Sequence, residues 1–215
     1  MQHLDTYKTK GLRKALVEGL KDKGITSLPV LSAIEKIPRH LFMDSSFLQY
    51  AYQDRAFPIG EGQTISQPFT VATQSELLQV KPKEKILEIG TGSGYQASVL
   101  VELGAKVFTI ERHRALFLKT KELLKDLKYN AKCFYGDGYA GLPNFAPFDK
   151  IIVTCGAPFV PEALKEQLKV GGILVIPVGE DDQKMQVYTK LSETEFSCEE
   201  RGDFRFVPML EHRQN

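Results

Sequence analysis

In the stretch KILEIGTGSGYQASVL, residues 85–100, a short apolar run is followed by a cluster of glycines and then by a helical pattern, and this order is the strongest indication of fold class in the chain. KILEIG predicts a buried strand, and YQASVLVEL predicts a helix that ends at Gly104. Gly90, Gly92 and Gly94 allow the backbone to turn sharply between the two elements. A strand that passes through a glycine turn into a helix is the first half of a parallel βα unit.

The same alternation continues through the middle of the chain. Further strands are predicted at KVFTIE (106–111), AKCFYG (131–136), DKIIVTC (149–155) and GGILVIPVG (171–179), with helices at 114–127 and 161–168 between them. The tail, residues 186–207, predicts two antiparallel strands joined by a polar turn. We therefore expect an α/β fold of the Rossmann-like, doubly wound class, with a parallel sheet, N-terminal helices and C-terminal antiparallel strands.

The N-terminal region has a different pattern. Leu12, Leu16, Val17 and Leu20 fall at helical spacing before a stop at Gly24, and a second helix is predicted near Ser27. Residues 54–68 are rich in glycine and proline and predict an irregular, functional loop. A helix is expected at 69–80. The whole chain, 1–215, is interpreted as one domain with a helical and loop region (1–68), a core (69–180) and a tail (181–215).

Composition narrows the classes of protein. The 215 residues are 42% hydrophobic and 26% charged, which is typical of a globular protein. No apolar run reaches the roughly 20 residues of a membrane span, and the N-terminus lacks the apolar core of a secretion signal. Three widely spaced cysteines indicate a reducing, cytoplasmic location and no metal site. A net charge of +1 offers no general attraction for nucleic acid.

The glycine turn carries a cofactor signal. G-x-G-x-G follows Glu88, and Tyr95 stands where a dinucleotide fingerprint has its third glycine. This spacing is usual in S-adenosylmethionine-dependent methyltransferases. Glu111 ends the next strand, where such folds place a carboxylate on ribose hydroxyls, and Asp137 ends the strand after it, where it can meet adenine. Each acid alone could be a solvated strand end, but the ordered set favours an adenosine cofactor.

Alternatives for the methyl acceptor can be weighed from the segment VTCGAP, residues 153–158. It lacks the Asn-Pro-Pro-Tyr pattern of base methyltransferases, which disfavours nucleic-acid methylation. Cys155 could serve as a nucleophile, but a cysteine at a strand end is more often a packing residue. The four histidines, His3, His40, His113 and His212, show no catalytic spacing and are interpreted as surface or packing residues.

The chain resembles the protein-L-isoaspartate O-methyltransferase family over nearly its whole length. The matching segments are IPRHLF (37–42), AYQDRAFPIGEGQTISQP (51–68), EIGTGSGYQASVL (88–100), GDG (136–138), VTCGAP (153–158) and FRFVPM (204–209). Two departures are Phe69, where Tyr or His is common, and the segment 155–158, where Ala-Ala-Pro is more frequent. The resemblance implies methyl transfer from S-adenosylmethionine to isoaspartyl carboxylates of damaged proteins, with S-adenosylhomocysteine as product.

The resemblance also implies roles for individual residues. Ser66 would be the catalytic residue. Cofactor contacts would come from Thr64, Ile65, Ser66, Glu88, Gly90, Thr91, Gly92, Gly94, Tyr95, Glu111, Arg112, Asp137, Gly138 and Thr154. Substrate contacts would come from Ile59, Gly60, Gln63, Thr64, Ser66, Phe206, Val207 and Pro208. The expected partners are damaged proteins and peptides, with no nucleic acid or membrane, and the expected state is a monomer.

Ser66 has no base beside it, and the proposed chemistry explains why. A carboxylate with an ordinary pKa of about 4 is ionised at neutral pH and needs no proton removed before it attacks a methyl group. The hydroxyls of Ser66 and Thr64 are therefore expected to orient the acceptor, although both could be simple turn-forming residues. Methylation of a small metabolite, or cofactor binding without catalysis, are the competing hypotheses.

Overall fold

The computed structural model describes residues 5–214, in which helices and strands follow the predicted alternation. The helices are α1 (Tyr7–Asp22), α2 (Leu28–Lys36), α3 (Pro68–Leu78), α4 (Tyr95–Glu102), α5 (Arg114–Asp126) and α6 (Glu162–Glu166). The strands are β1 (Phe57–Gly60), β2 (Gln63–Ile65), β3 (Lys85–Ile89), β4 (Lys106–Glu111), β5 (Lys132–Tyr135), β6 (Phe148–Val153), β7 (Leu168–Val178), β8 (Gln183–Lys190) and β9 (Phe196–Phe204). No helix within these residues is both long and apolar enough for a membrane span.

Seven strands form one sheet in the order β5-β4-β3-β6-β7-β8-β9. Strands β3 to β7 are parallel, whereas β7 to β9 are antiparallel, as the sequence pattern predicts. Strand β3 lies between β4 and β6, so the strand order reverses beside it, and crevices at such reversals bind ligands in open α/β sheets. Ile89, the last residue of β3, pairs with Ile110 on one side and Val153 on the other.

Alternate residues of the central strands bury two separate apolar layers. Ile86 belongs to the layer covered by α1 to α4, whereas Leu87 and Ile89 belong to the layer that contacts α6 and the C-terminal tail. Strands covered on both faces are almost continuously apolar, which is why KILEIG and DKIIVTC lack a polar alternation. The fold is therefore the predicted α/β class, with N-terminal helices packed on one face of the sheet.

Helix α1 buries a slightly different face from the one predicted. Leu12 is 43% exposed, and the buried face comprises Arg13, Leu16, Val17 and Leu20. Arg13 can be buried on this face because both of its terminal nitrogens donate to the Asp5 carboxylate at 2.9 Å, which compensates for the buried charge, and its Nε donates to the carbonyl of Glu35 in α2. Apolar spacing alone could not show that a paired arginine replaces leucine there.

The segment predicted as an irregular loop contains a β-hairpin. Strands β1 and β2 pair antiparallel around a two-residue turn at Glu61 and Gly62, both of which have positive φ angles, 52° and 67°. Two positive φ values in a two-residue loop match the twist of a hairpin, and glycine adopts them without strain. The prediction missed these strands because each is only three or four residues long and interrupted by proline and glycine.

The base of this hairpin is fixed to the core by two charged residues. The Arg39 guanidinium is fully buried, and it donates to the carbonyls of Ala51 at 3.1 Å and Arg55 at 3.3 Å. The Asp54 carboxylate accepts the backbone N–H of Phe69 at 2.7 Å, which satisfies a free donor in the first turn of α3. These contacts place the hairpin beside the carboxyl ends of the central strands.

Candidate active site

A cleft opens at the carboxyl ends of β3, β4 and β6 and contains roughly 810 Å³ of empty space, including its open mouth. The glycine turn forms its floor, the hairpin and the following residues form one side, and the C-terminal tail forms another. Predicted site residues in its wall are Gln63, Thr64, Ile65, Ser66, Gly90, Thr91, Gly92, Tyr95, Glu111, Arg112, Gly138, Thr154, Val207 and Pro208. Residues from separate segments between positions 63 and 208 thus meet in one cleft.

The floor of the cleft requires glycine at position 90. Gly90 has φ +92°, and a Cβ atom there would lie 2.7 Å from the Oγ1 atom of Thr154. The Thr154 hydroxyl is held in place because it shares its one proton between the carbonyls of Gly90, at 2.6 Å, and Ile89, at 2.9 Å. The bare backbone of the turn therefore stays open to the cleft, as a closely bound cofactor requires.

Glu111 stands at the end of β4 with its side chain in the cleft wall. One carboxylate oxygen accepts the N–H of Gly92 at 2.8 Å, and the other accepts the N–H of His113 at 2.9 Å. These bonds connect the acid to the glycine turn and orient it, while a carboxylate has about four acceptor positions and can accept further donors. This arrangement fits hydroxyl donors from a ribose.

Three wall residues each have a buried polar atom without a hydrogen-bond partner among residues 5–214. These atoms are the hydroxyl oxygen of Tyr95, Oε1 of Gln96 and Nδ1 of His113. The Glu61 carboxylate at the hairpin turn lies 4.0 Å from that His113 nitrogen. Since buried polar groups are normally paired, these atoms indicate that the cleft accommodates a polar ligand, and the residues present fit an adenosine cofactor.

His113 was interpreted from sequence as a packing or surface residue, and the structure places it in the cleft. Other wall residues that the sequence did not identify are Val71, Gln74, Ile89, Ser93, Gln96, Ile110, Cys155, Met209 and Leu210. His113 lies two positions after Glu111, and this closeness to a predicted site residue is the one feature of the sequence that could have placed it in the cleft. Gln74 and Gln96 lie within helices, where sequence offers no comparable signal.

Ser66 lies half-buried on the hairpin side of the cleft, directly after the buried Ile65, which is 2% exposed. Its hydroxyl makes no hydrogen bond with another group in the described part of the chain, so it is available to a ligand. Without an imidazole or carboxylate to accept its proton, Ser66 lacks the arrangement that activates a nucleophilic serine.

Cys155 also lines the cleft, but its thiol is unsuited to nucleophilic attack. Burial raises the pKa of Cys155 to about 12, and the Glu111 carboxylate adds to the effect. The thiol is therefore neutral at pH 7, whereas the thiolate is the reactive form. All three cysteines are free, and no cluster of metal-ligating side chains occurs within residues 5–214.

Six predicted site residues do not line the cleft: Ile59, Gly60, Glu88, Gly94, Asp137 and Phe206. Ile59 faces a neighbouring cavity beside Gly92 and α5. Gly94 has φ +84°, and a Cβ atom there would lie 2.7 Å from Thr120, so this glycine permits close packing of α5. Of the departures from the family pattern, Phe69 lies outside the wall, under the Lys23 ammonium group.

Asp137 is used within the protein. One carboxylate oxygen accepts the N–H of Tyr139 at 2.9 Å, and the other accepts the N–H of His212 in the tail at 3.0 Å. Asp137 thus links the end of β5 to the tail and does not line the cleft, whereas the adjacent Gly138 does line it.

Glu88 lies inside the sheet, between Thr109 and Ile152, and is fully buried. Burial raises the pKa of its carboxyl group from the ordinary 4.5 to about 8, so the group is largely neutral at pH 7. Glu88 is enclosed by the sheet because it precedes Ile89, the last residue of the strand. Its burial does not support the predicted direct contact with the cofactor.

The raised pKa of Glu88 predicts how stability changes with pH. The unfolded chain loses this proton near pH 4.5, whereas the folded chain loses it near pH 8. The contribution of the protonated Glu88 carboxyl group to folding stability is therefore fully present below about pH 4.5 and is lost as the pH rises through 8. Glu88→Gln lacks this titration. As the pH rises across that range, we expect the free energy of unfolding of Glu88→Gln to increase relative to that of the wild type, by up to about 1.4 kcal/mol per pH unit.

Urea unfolding of both proteins at pH 5.5, 7 and 8.5 measures this difference. Parallel pH profiles for the two proteins would show that the Glu88 carboxyl group does not titrate in this way.

Comparisons with known proteins agree with this geometry. Residues 11–214 match the family model described as Protein-L-isoaspartate(D-aspartate) O-methyltransferase (PCMT). The chain is 61% identical over 210 residues to a protein-L-isoaspartate O-methyltransferase of Flavobacterium johnsoniae, which covers 97% of this chain and 99% of that one.

Two solved structures are also similar. One is a protein-L-isoaspartate O-methyltransferase with 31% identity and a TM-score of 0.83, covering 91% of this chain and 65% of that longer chain. The other, from Plasmodium falciparum and in complex with S-adenosyl-L-homocysteine, has 27% identity and a TM-score of 0.82, covering 92% of this chain and 98% of that one. On this family match, sequence identity and shared fold, the chain belongs to the protein-L-isoaspartate(D-aspartate) O-methyltransferase family.

Proposed function

We propose that the cleft binds S-adenosylmethionine on the glycine turn and presents an isoaspartyl carboxylate to it beside Ser66. The reaction is that of the family: the chain is a protein-L-isoaspartate O-methyltransferase that uses S-adenosylmethionine. One observation carries the residue assignment. The glycine turn, Ser66 and the tail residues Val207 and Pro208 line the same cleft, although they are far apart in sequence.

The cofactor contacts are assigned from the wall of the cleft. The backbone of Gly90, Thr91 and Gly92 would hold the methionine end, the Glu111 carboxylate would accept ribose hydroxyls, and Gly138 would allow adenine to approach. Bound there, S-adenosylmethionine supplies an electrophilic methyl group on a sulfonium. Thr64 and Ile65 cover this region from the hairpin side.

The acceptor side works by positioning. An isoaspartyl carboxylate is ionised at neutral pH, so the protein need not remove a proton. The Ser66 hydroxyl can donate one hydrogen bond to hold a carboxylate oxygen, with Thr64 beside it. Correct placement of two reacting groups can contribute roughly 7–11 kcal/mol at best, so geometry alone supplies a large share of the rate.

The substrate groove is assigned to the hairpin and the tail. Gln63, Val207 and Pro208 all line the cleft that contains Ser66, and an extended peptide would contact them there. Ile59, Gly60 and Phe206 adjoin these residues in sequence but stand outside the wall, so any contact they make with a peptide is farther from the reacting carboxylate.

The decisive experiment compares radiolabelled methyl transfer to a peptide containing one isoaspartyl residue with transfer to its aspartyl twin. We expect labelling of the isoaspartyl peptide alone, and release of the label in base, because the product is a methyl ester. Equal labelling of both peptides would contradict the proposed specificity. Labelling of a small carboxylate metabolite alone would favour the competing hypothesis, which the comparisons do not support.

We further propose that the chain acts as a monomer in a reducing, cytoplasmic environment, on damaged proteins rather than on nucleic acid or membranes. The support is compositional. Its charge is balanced, and its cysteines are unpaired, with Cys198 exposed to solvent. Light scattering of the purified chain tests the monomer.

A further inference from the structure

The C-terminal tail, residues 205–214, forms one wall of the cleft and is held at two places. At its start, the N–H of Gly156 donates to the carbonyl of Val207 at 2.8 Å, and the N–H of Met209 donates to the carbonyl of Gly156 at 2.7 Å. Val207, Pro208, Met209 and Leu210 consequently line the cleft. The second attachment lies beyond these residues, at 211–214.

Arg112 makes most of this second attachment. Its Nε donates to the carbonyl of His212 at 2.9 Å, one terminal nitrogen donates to the carbonyl of Glu211 at 3.1 Å, and the other donates to Oε1 of Gln214 at 3.1 Å. The main chain adds a bond, because the N–H of Gln214 donates to the carbonyl of Arg112 at 2.8 Å. The guanidinium fork is thus directed at the tail.

The neighbouring strand end adds two bonds: the Asp137 carboxylate accepts the N–H of His212 at 3.0 Å, and the Tyr135 hydroxyl donates to the carbonyl of Gln214 at 3.1 Å. Arg112 and Asp137 follow β4 and β5, the two strands that end beside the adenosine half of the cleft. The tail is therefore fixed to the strand ends that would hold the cofactor.

We infer that Arg112 is a positioning residue of the reaction: it fixes residues 211–214, and thereby holds Val207 to Leu210 as the wall between the cofactor and the substrate groove. Its guanidinium acts on the tail and reaches the substrate only through it. A planar guanidinium suits this role because it can satisfy several acceptors in a fixed geometry, which the single ammonium of lysine cannot.

The first measurement is hydrogen exchange of the tail amides in the full chain without ligand. In Arg112→Gln, we expect the amides of 211–214 to exchange on the order of tenfold faster than in the wild type, since three hydrogen bonds are lost. Arg114→Gln is the matched control: it changes charge equally at the exposed neighbouring residue and keeps the N–H that donates to Gln214. We expect no change there.

The second measurement is steady-state kinetics, which rests on the proposed function. We expect Arg112→Gln to raise the KM for an isoaspartyl peptide about fivefold, with kcat at saturation changed less than about twofold, because the Ser66 side of the cleft is untouched. The KM of Arg112→Lys should lie between those of the wild type and Arg112→Gln. Gln214→Ala removes only one acceptor of the Arg112 guanidinium, so the tail amides should exchange faster than in the wild type but slower than in Arg112→Gln. This variant provides the test if Arg112→Gln does not fold.

The outcomes separate this inference from the proposed function. Unchanged exchange in Arg112→Gln would overturn the inference whatever the activity, and so would faster exchange with an unaltered KM. A large fall in affinity for S-adenosylhomocysteine with unchanged exchange would instead assign Arg112 to direct cofactor contact. If the wild type methylates no isoaspartyl peptide, the proposed function fails, while the exchange result still decides whether Arg112 fixes the tail.

Discussion

Replacing Ser66 by alanine is expected to lower kcat for isoaspartyl methylation on the order of 100-fold, because small misplacements of reacting groups have effects of that size. The Ser66 hydroxyl lies in the cleft wall and forms no hydrogen bond within the described residues, so its loss leaves the protein's own bonding intact. The missing group is a donor to the acceptor carboxylate. Affinity for the cofactor should change less than about twofold, since the floor and the Glu111 side are unaltered.

Steady-state kinetics with an isoaspartyl peptide, together with calorimetric titration of S-adenosylhomocysteine, measure both quantities. Ser45→Ala is the matched control, because Ser45 is an exposed serine outside the cleft and should leave both unchanged. Cofactor binding weakened tenfold with normal turnover in Ser66→Ala would show that this hydroxyl serves the cofactor instead.

Gly90→Ala is expected to weaken binding of S-adenosylhomocysteine on the order of 100-fold, or about 2.7 kcal/mol. The added methyl group would lie 2.7 Å from Oγ1 of Thr154, closer than side-chain contacts permit, at a backbone with φ +92°. The Thr154 hydroxyl cannot yield without breaking its bonds to the carbonyls of Gly90 and Ile89. The floor of the cleft must therefore shift, and the backbone loses the surface that meets the cofactor.

Gly171→Ala provides the matched control for backbone strain. Gly171 has φ +81°, no atom lies within 4 Å of the Cβ it would gain, and it stands outside the cleft. Both variants carry the left-handed backbone penalty of roughly 1–2 kcal/mol in unfolding experiments. Only Gly90→Ala should lose cofactor affinity. Equal affinities in calorimetry would show that the floor accommodates a side chain and that the close-approach argument is wrong.

Most of the fold could be predicted from local sequence patterns. The apolar runs of the central strands, the glycine turn after β3 and the helix start near Ser27 are each contained within a few neighbouring residues. Elements of this kind depend on backbone geometry and side-chain period, which the sequence displays directly. The hairpin at 57–65 was missed, because its strands are too short to show a period.

The cleft could be predicted only in outline. Glycines and acids at strand ends indicate where a ligand binds, because parallel strands bring their carboxyl ends to one edge. Their individual partners could not be inferred. The sequence predicts that Arg112 contacts the cofactor, but its guanidinium forms hydrogen bonds with residues that lie 99 to 102 positions further along the chain. Asp137 likewise accepts a hydrogen bond from a residue 75 positions further along.

Local patterns along the chain were thus enough to predict the α/β class, the strand, turn and helix at the floor of the cleft, and the segments that resemble the family. The burial of Glu88, the place of His113 in the wall and the bonds from Arg112 to the tail became evident only in the folded chain. The reason is physical. A strand or turn depends on neighbours along the chain, whereas burial and hydrogen-bond partners depend on which distant segments packing brings into contact.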